Sequence, residues 1–147
     1  ICLVVIVVLA GIIFLPDKDV SSINNTVMPG EMLSIETPYC TLRYPAETSE
    51  FLKCVDRNEA GTYSKVFYGC VDEQEIELFE ISFGEKENAT LIGYIMHNDT
   101  KYPIFVRSTE IDDTLNQNSQ NTIYMMQEGI NDVIQSITSN ENYLEVQ

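Results

Sequence analysis

The apolar residues of this chain change their spacing once, and that change limits the folds that the chain can adopt. Between residues 34 and 108 they recur in short alternating runs, which are typical of β-strands. From Ile123 onward they recur three or four residues apart, which is typical of one face of an α-helix. The sequence therefore predicts an α+β domain, in which a sheet is followed by a helix.

The candidate strands are separated by turn residues and by short connections. They cover residues 34–36, 39–44, 51–57, 63–71, 76–83, 91–97 and 102–108. Parallel neighbours would need long crossovers, so we expect an antiparallel sheet of about six or seven strands. The alternation in 76–83 places Phe79, Ile81 and Phe83 in the core, and a last run, 143–146, can return as an edge strand.

One amphipathic helix is predicted at the C-terminus, packed on the sheet. Its apolar face comprises Ile123, Met126, Ile130, Val133, Ile134 and Ile137. Ser119 or Asn121 suits the N-cap, and Asn140 suits the C-terminal stop. Gly129 disfavours a helix by about 1 kcal/mol, so this helix needs docking on the sheet for its stability.

The first 15 residues form an apolar run without a charged side chain. A helix needs about 20 such residues to cross a bilayer, and we expect a transmembrane signal-anchor that is truncated at its start. A cleaved signal peptide is the alternative, although no pair of small residues follows the run. A linker over residues 16–33 and an extracellular domain over residues 34–147 would follow, because no positive excess flanks the span.

The charge of the chain excludes one class of partner. Eight Lys and Arg residues face 23 Asp and Glu residues, which gives a formal charge of −15. Nucleic acids are disfavoured as partners, because their binding relies on basic residues that displace counterions. Cationic peptides, polyamines and divalent cations remain as electrostatic partners, and acidity also keeps a surface protein soluble.

Three cysteines follow the apolar run, each in a predicted strand. A hairpin centred near residue 62 would place Cys54 opposite Cys70, whereas a pairing around residue 47 would place Cys54 opposite Cys40. Opposite Cα atoms in a sheet lie within disulfide range. We prefer the Cys54–Cys70 disulfide; the alternative to any disulfide is three small buried side chains.

No catalytic, cofactor or metal site is predicted. The chain lacks the strings typical of hydrolase nucleophiles and zinc ligands. His97 is the single histidine and is expected to be exposed at a turn. Four tyrosines, Tyr63, Tyr68, Tyr94 and Tyr102, either form a binding stripe on the sheet face away from the helix or pack half-buried.

Several short motifs carry a resemblance. They are Thr37-Pro38-Tyr39, Tyr44-Pro45, Leu78-Phe79 with Phe83-Gly84, Gly93 and Ile134-Gln135-Ser136-Ile137. With them the chain resembles a group of uncharacterised membrane-anchored surface proteins of Gram-positive bacteria, and its element order is similar to that of PsbP-like domains. The resemblance implies a strand ending in Tyr-Pro, a helix against an antiparallel sheet, and no shared catalytic set.

These observations lead to two functional hypotheses. The first is a binding module at the cell envelope, anchored in the lipid bilayer, whose sheet face or 109–121 loop contacts a peptide, an envelope protein or a wall component. The second is a secreted hydrolase or thiol-redox protein that uses an ectodomain cysteine. A low thiol pKa would favour the second hypothesis.

Overall fold

The computed structural model describes residues 30–48 and 52–147, and within them the architecture is α+β. The predicted anchor at 1–15 lies outside the described residues, as does the linker up to residue 29. The strands are β1 (Met32–Glu36), β2 (Thr41–Pro45), β3 (Leu52–Glu59), β4 (Thr62–Val71), β5 (Gln74–Phe83), β6 (Thr90–His97), β7 (Thr100–Ser108) and β8 (Tyr143–Leu144). The helices are α1 (Gln117–Gln127) and α2 (Ile130–Thr138), and a 3-10 turn covers Ala46–Thr48.

The strands form two antiparallel sheets. Within the described residues, β1 and β2 pair only with each other, and the other six strands have the order β3-β4-β5-β7-β6-β8. The antiparallel sheet is thus confirmed, with β8 as the returning edge strand. The separate N-terminal hairpin was not predicted. It begins at Met32, two residues before the expected domain boundary at residue 34.

Three two-residue turns set the registers of the main sheet. They are Ala60–Gly61, Asp72–Glu73 and Asn98–Asp99, and all six residues have positive φ. Positive φ at both central positions is typical of type I′ hairpin turns, whose geometry matches the twist of the strands. The first turn centres the β3–β4 hairpin between Ala60 and Gly61 and pairs Glu59 with Thr62. The centre predicted near residue 62 was therefore wrong.

The main core lies between one face of the main sheet and the helices. Phe79 and Ile81 are fully buried and Phe83 is 2% exposed, which confirms the predicted core side of β5. The other side of β5 is covered as well, because Glu80 and Ser82 are each only 1% exposed. The simple inside–outside alternation expected for this strand therefore fails.

The C-terminal helical segment is interrupted at Glu128 and Gly129, so two helices occupy the place of one. Its apolar face is confirmed by the burial of Ile123, Ile130, Val133 and Ile137. The predicted N-cap was wrong. Asn116 caps α1 through its Oδ1, which accepts the Ser119 N–H at 3.0 Å. Ser119 itself lies inside α1, buried, and donates its hydroxyl to Asp72 in the β4–β5 turn.

The β1–β2 hairpin docks beside α2 and over one end of the core. Leu42 is fully buried, and the Arg43 N–H donates to Ser136 Oγ at 2.9 Å. The Tyr39 ring stacks on Phe83 with 4.9 Å between centroids. This docking places the outward side of β2 next to the exposed side of α2.

Candidate functional site

An open cleft of about 720 Å³ lies between the hairpin and α2. Met32, Thr41 and Arg43 line it from the hairpin. The opposite wall comes from α2 and the residues after it: Asp132, Gln135, Ser136, Ser139, Asn140 and Glu141. Apart from Met32 every lining side chain is polar, so the cleft offers mainly charged and hydrogen-bonding groups.

Arg43 reaches the cleft because of the alternation in β2. Its neighbour Leu42 points into the core, so the Arg43 side chain points outward and is exposed. The backbone N–H of Arg43 is fixed to Ser136. Its guanidinium makes no hydrogen bond or ion pair with any residue in the ranges 30–48 and 52–147.

Arg43 differs in this respect from the other six Lys and Arg residues that the structure describes. Lys53 pairs with Glu75 at 2.9 Å, Lys65 pairs with Asp56, and Lys101 lies 3.7 Å from the centroid of the Tyr94 ring. The remaining three pair with glutamates on the face of the main sheet away from the helices; they are Arg57, Lys86 and Arg107. Arg43 is thus the one Lys or Arg of the described chain whose side chain makes no hydrogen bond, ion pair or ring contact.

The facing wall holds charge of the opposite sign. Asp132 lies in the first turn of α2 and Glu141 lies three residues after its end. Neither carboxylate forms an ion pair with a described residue, and neither meets Arg43 within 4.0 Å. The cleft therefore presents a guanidinium on one wall and two carboxylates on the other, without contact between them.

A second charged group, centred on Glu80, occupies the face of the main sheet away from the helices. The Glu80 carboxylate is fully buried and receives Arg107 Nη2 at 2.7 Å, Lys86 Nζ at 2.9 Å and Arg57 Nη1 at 3.3 Å. Glu77 accepts from Arg57 Nη2 at 2.7 Å and from Arg107 Nη2 at 3.1 Å. Three cations and the glutamates around them thus neutralise one another. We call this group the Glu80 network.

The pKa values in the Glu80 network follow from its geometry. Burial alone would raise the pKa of Glu80, but its contacts with Lys86 and Ser64 and the charges of Lys86 and Arg107 hold it below its usual value. The hydrogen bond to Glu77 raises the pKa of Arg57. Glu80 and Arg57 therefore stay charged at neutral pH, and their contacts are structural ion pairs.

The structure does not place Cys54 opposite Cys70, which is the pairing that the preferred disulfide needs. Cys54 lies opposite Phe67 in the β3–β4 register, and Cys70 lies opposite Glu75 in the β4–β5 register. Cys40 precedes β2, which belongs to the other sheet. All three thiols are free in the structure. Cys40 and Cys54 are half-buried beside the core and Cys70 is exposed, so the alternative of three buried side chains is not met in full either.

Burial also decides the acidity of two of these thiols. It raises the pKa of Cys40 to about 11 and the pKa of Cys54 to about 11. A nucleophilic cysteine needs the opposite shift, because the thiolate is the reactive form. Cys70 is exposed. The structure thus supplies no activating environment for the two half-buried thiols.

His97 and the tyrosines are arranged differently from the prediction. His97 is half-buried at the end of β6, with its ring 5.8 Å from that of Tyr39, so the prediction of an exposed turn histidine was wrong. The Tyr39 ring contacts that of Tyr63, which lies in the core, and that of Tyr102, which is partly buried. Tyr68 bonds to Arg57 on the open sheet face, where Tyr94 lies under Lys101. The four tyrosines therefore do not form one stripe.

The 109–116 loop is held by side chains of α1. Gln127 Nε2 donates to Thr109 O at 2.7 Å, and Gln120 Nε2 donates to Leu115 O at 2.7 Å. Asp112 accepts from the N–H and hydroxyl of Thr114.

Within residues 30–48 and 52–147, no three His, Cys, Asp or Glu side chains stand close enough to share a metal ion.

Comparisons with known proteins add no assignment. No family model, curated protein or solved structure matches the chain. In the part of the chain that the structure describes, no helix has both the length and the apolar character needed to cross a membrane. Arguments about function therefore rest on the geometry of the described residues.

Proposed function

We propose that this chain is an envelope-anchored binding module that holds a polar ligand in the cleft between the β1–β2 hairpin and α2. The observation that carries the proposal is the unpaired guanidinium of Arg43 in that cleft. A guanidinium presents a rigid fork of donors that matches carboxylate and phosphate groups. Every other cation of the described chain is already engaged by a side chain of the protein.

The size and construction of the cleft support this proposal. Pockets for small ligands commonly enclose about 300–1,000 Å³, and the cleft lies within that range. Its two walls come from elements that belong to different layers of the fold, the hairpin and the helix. A ligand between them would contact both and would stabilise their docking.

The cellular part of the proposal rests on the sequence. The apolar run at residues 1–15 would anchor the chain in the lipid bilayer, and the acidic domain would face the outside of the cell. A wall component, a peptide or a segment of another envelope protein would then be the ligand within reach. The thiol-enzyme alternative is less favoured, because burial raises the pKa values of Cys40 and Cys54.

A tryptophan placed in the cleft tests the proposal. Gln135 lines the cleft and is exposed, so Gln135→Trp fills the space without disturbing the core. The matched control is Met125→Trp at an exposed position of α1 outside the cleft, where the side chain is 66% exposed. Both variants are made in the full 147-residue chain in detergent micelles.

The readout is the backbone amide NMR spectrum during titration with a tripeptide, an amino-sugar disaccharide and a wall-derived disaccharide-peptide. We expect at least one probe to bind with a Kd below about 1 mM and to shift amides of β2 and α2. Gln135→Trp should abolish this binding, and Met125→Trp should retain it. The proposal fails if no probe binds, or if Gln135→Trp binds as tightly as the parent chain.

A further inference from the structure

We infer that the ligand of the cleft is a short peptide with a free amino group and a free carboxylate, held by charges on opposite walls. The inference rests on the proposed function and names its ligand class. It follows from the signs and positions of three side chains: Arg43 on β2, and Asp132 and Glu141 on the opposite wall. A ligand with one charge alone would leave one wall unmatched.

The carboxylate end is assigned to Arg43. Its backbone is fixed by the hydrogen bond to Ser136 and by the burial of Leu42, so the side chain starts from a rigid position. Arginine binds carboxylates through two parallel hydrogen bonds. The Thr41 and Ser136 hydroxyls lie in the same lining, but both already donate within the chain, Thr41 Oγ1 to Glu36 at 2.9 Å and Ser136 Oγ to the Val133 carbonyl at 2.7 Å.

The ammonium end is assigned to the region of Glu141. α2 ends at Thr138, and the C-terminal end of a helix carries partial negative charge. Glu141 adds a full negative charge next to that end, and no described residue neutralises it. Asp132 lies at the other end of α2, where the positive end of the helix dipole already stabilises a carboxylate. The field for a cation is therefore strongest near Glu141.

The length of the α2 wall leaves room for a peptide longer than a single amino acid. At a rise of 1.5 Å per residue, Asp132 and Ser139 are about 10 Å apart along the helix axis. Three extended residues cover about 10 Å. Along this wall the side-chain amides of Gln135 and Asn140 supply donors and acceptors that match peptide groups.

Four forms of one tripeptide test the inference on the full chain in micelles. They are tri-alanine, its N-acetyl form, its C-terminal amide and the form blocked at both ends. We expect blocking either end to weaken binding by about tenfold, and blocking both to weaken it by more. The inference is overturned if the doubly blocked peptide binds as tightly as tri-alanine, or if tri-alanine does not bind.

Two variants, each of which removes one charge, test which residue binds which end of the peptide. Arg43→Gln should weaken the binding of tri-alanine by about tenfold and leave the binding of the C-terminal amide unchanged. Glu141→Gln should weaken tri-alanine similarly and leave the N-acetyl form unchanged. Both residues are exposed, so thermal melting of the variants should match that of the parent chain. Equal weakening of all four peptides by either variant contradicts the assignment.

Failure of this inference is distinguishable from failure of the proposed function. If tri-alanine does not bind but a disaccharide probe binds and is lost in Gln135→Trp, the cleft is a ligand site and only the peptide assignment is wrong. If no probe responds to Gln135→Trp, both are wrong.

Discussion

The open face of the main sheet and the hairpin–helix cleft both carry charges of each sign, but they use these charges differently. In the Glu80 network each cation lies within 3.3 Å of a glutamate oxygen, and the central carboxylate is fully buried. In the cleft, Arg43 and the two carboxylates line the same space without pairing. Charges that satisfy one another stabilise the sheet, whereas charges that remain unpaired are free to bind a ligand. This difference identifies the cleft as the candidate site.

Among these substitutions we expect Phe79→Ala to cause the largest loss of stability, because it truncates a fully buried side chain. Phe79 is 0% exposed, and its ring stacks on that of Phe67 at 4.5 Å. Truncation should lower the free energy of unfolding by about 3–5 kcal/mol, measured by denaturant titration. A loss below about 1 kcal/mol would contradict the assignment of this side of β5 to the core.

Glu80→Gln tests whether the network is structural. The substitution keeps the shape but leaves Arg57, Lys86 and Arg107 without their central counter-charge. We expect a loss of about 3 kcal/mol in the free energy of unfolding. The matched control is Glu75→Gln, which breaks the exposed pair with Lys53 and should cost less than about 1 kcal/mol. Equal effects of the two substitutions would contradict the comparison.

Acid should remove part of the stabilisation that the Glu80 carboxylate provides. The pKa of Glu80 is lower in the folded chain than its usual value, so its contribution is complete above the pKa of the unfolded chain, about 4.3. The contribution declines as the pH falls through the lower, folded pKa. Urea titrations between pH 7 and pH 3 should show a smaller loss of stability below pH 4.3 in Glu80→Gln than in the parent chain. Parallel curves would show that Glu80 does not contribute.

Arg43→Gln should have the smallest effect on folding. Its guanidinium has no partner in the described chain, so the free energy of unfolding should change by less than about 0.5 kcal/mol. The same denaturant titration measures this change. A loss above 1 kcal/mol would show that Arg43 is a structural residue like those of the Glu80 network, and the contrast between the two regions would disappear.

The sequence predicts the elements of this fold better than their registers. Alternation and helical spacing locate the strands and the apolar face of the helices, because both patterns are local. The register of β3 against β4 depends on the turn at Ala60–Gly61, and a non-glycine residue with positive φ is not a strong signal. Moving that centre changes the partner of Cys54 from Cys70 to Phe67.

The candidate site could not be predicted, because it depends on contacts between distant parts of the chain. Alternation in β2 indicates that Arg43 points outward. Nothing local indicates that Ser136, 93 residues later, lies against it. Glu80 was also missed, because a glutamate in a strand is usually solvated. Its burial is explained only by the convergence of Arg57 from β3, Arg107 from β7 and Lys86, three residues after β5.

The two edges of the main sheet affect how copies of the chain behave at high concentration. β3 is long enough to pair with another strand. It carries the charged residues Lys53, Asp56, Arg57 and Glu59, and pairing with a second molecule would bring these charges into the contact. β8 offers only two residues at the opposite edge. Neighbouring molecules therefore gain little from joining their sheets, and the fold resists fibrous association at high local density.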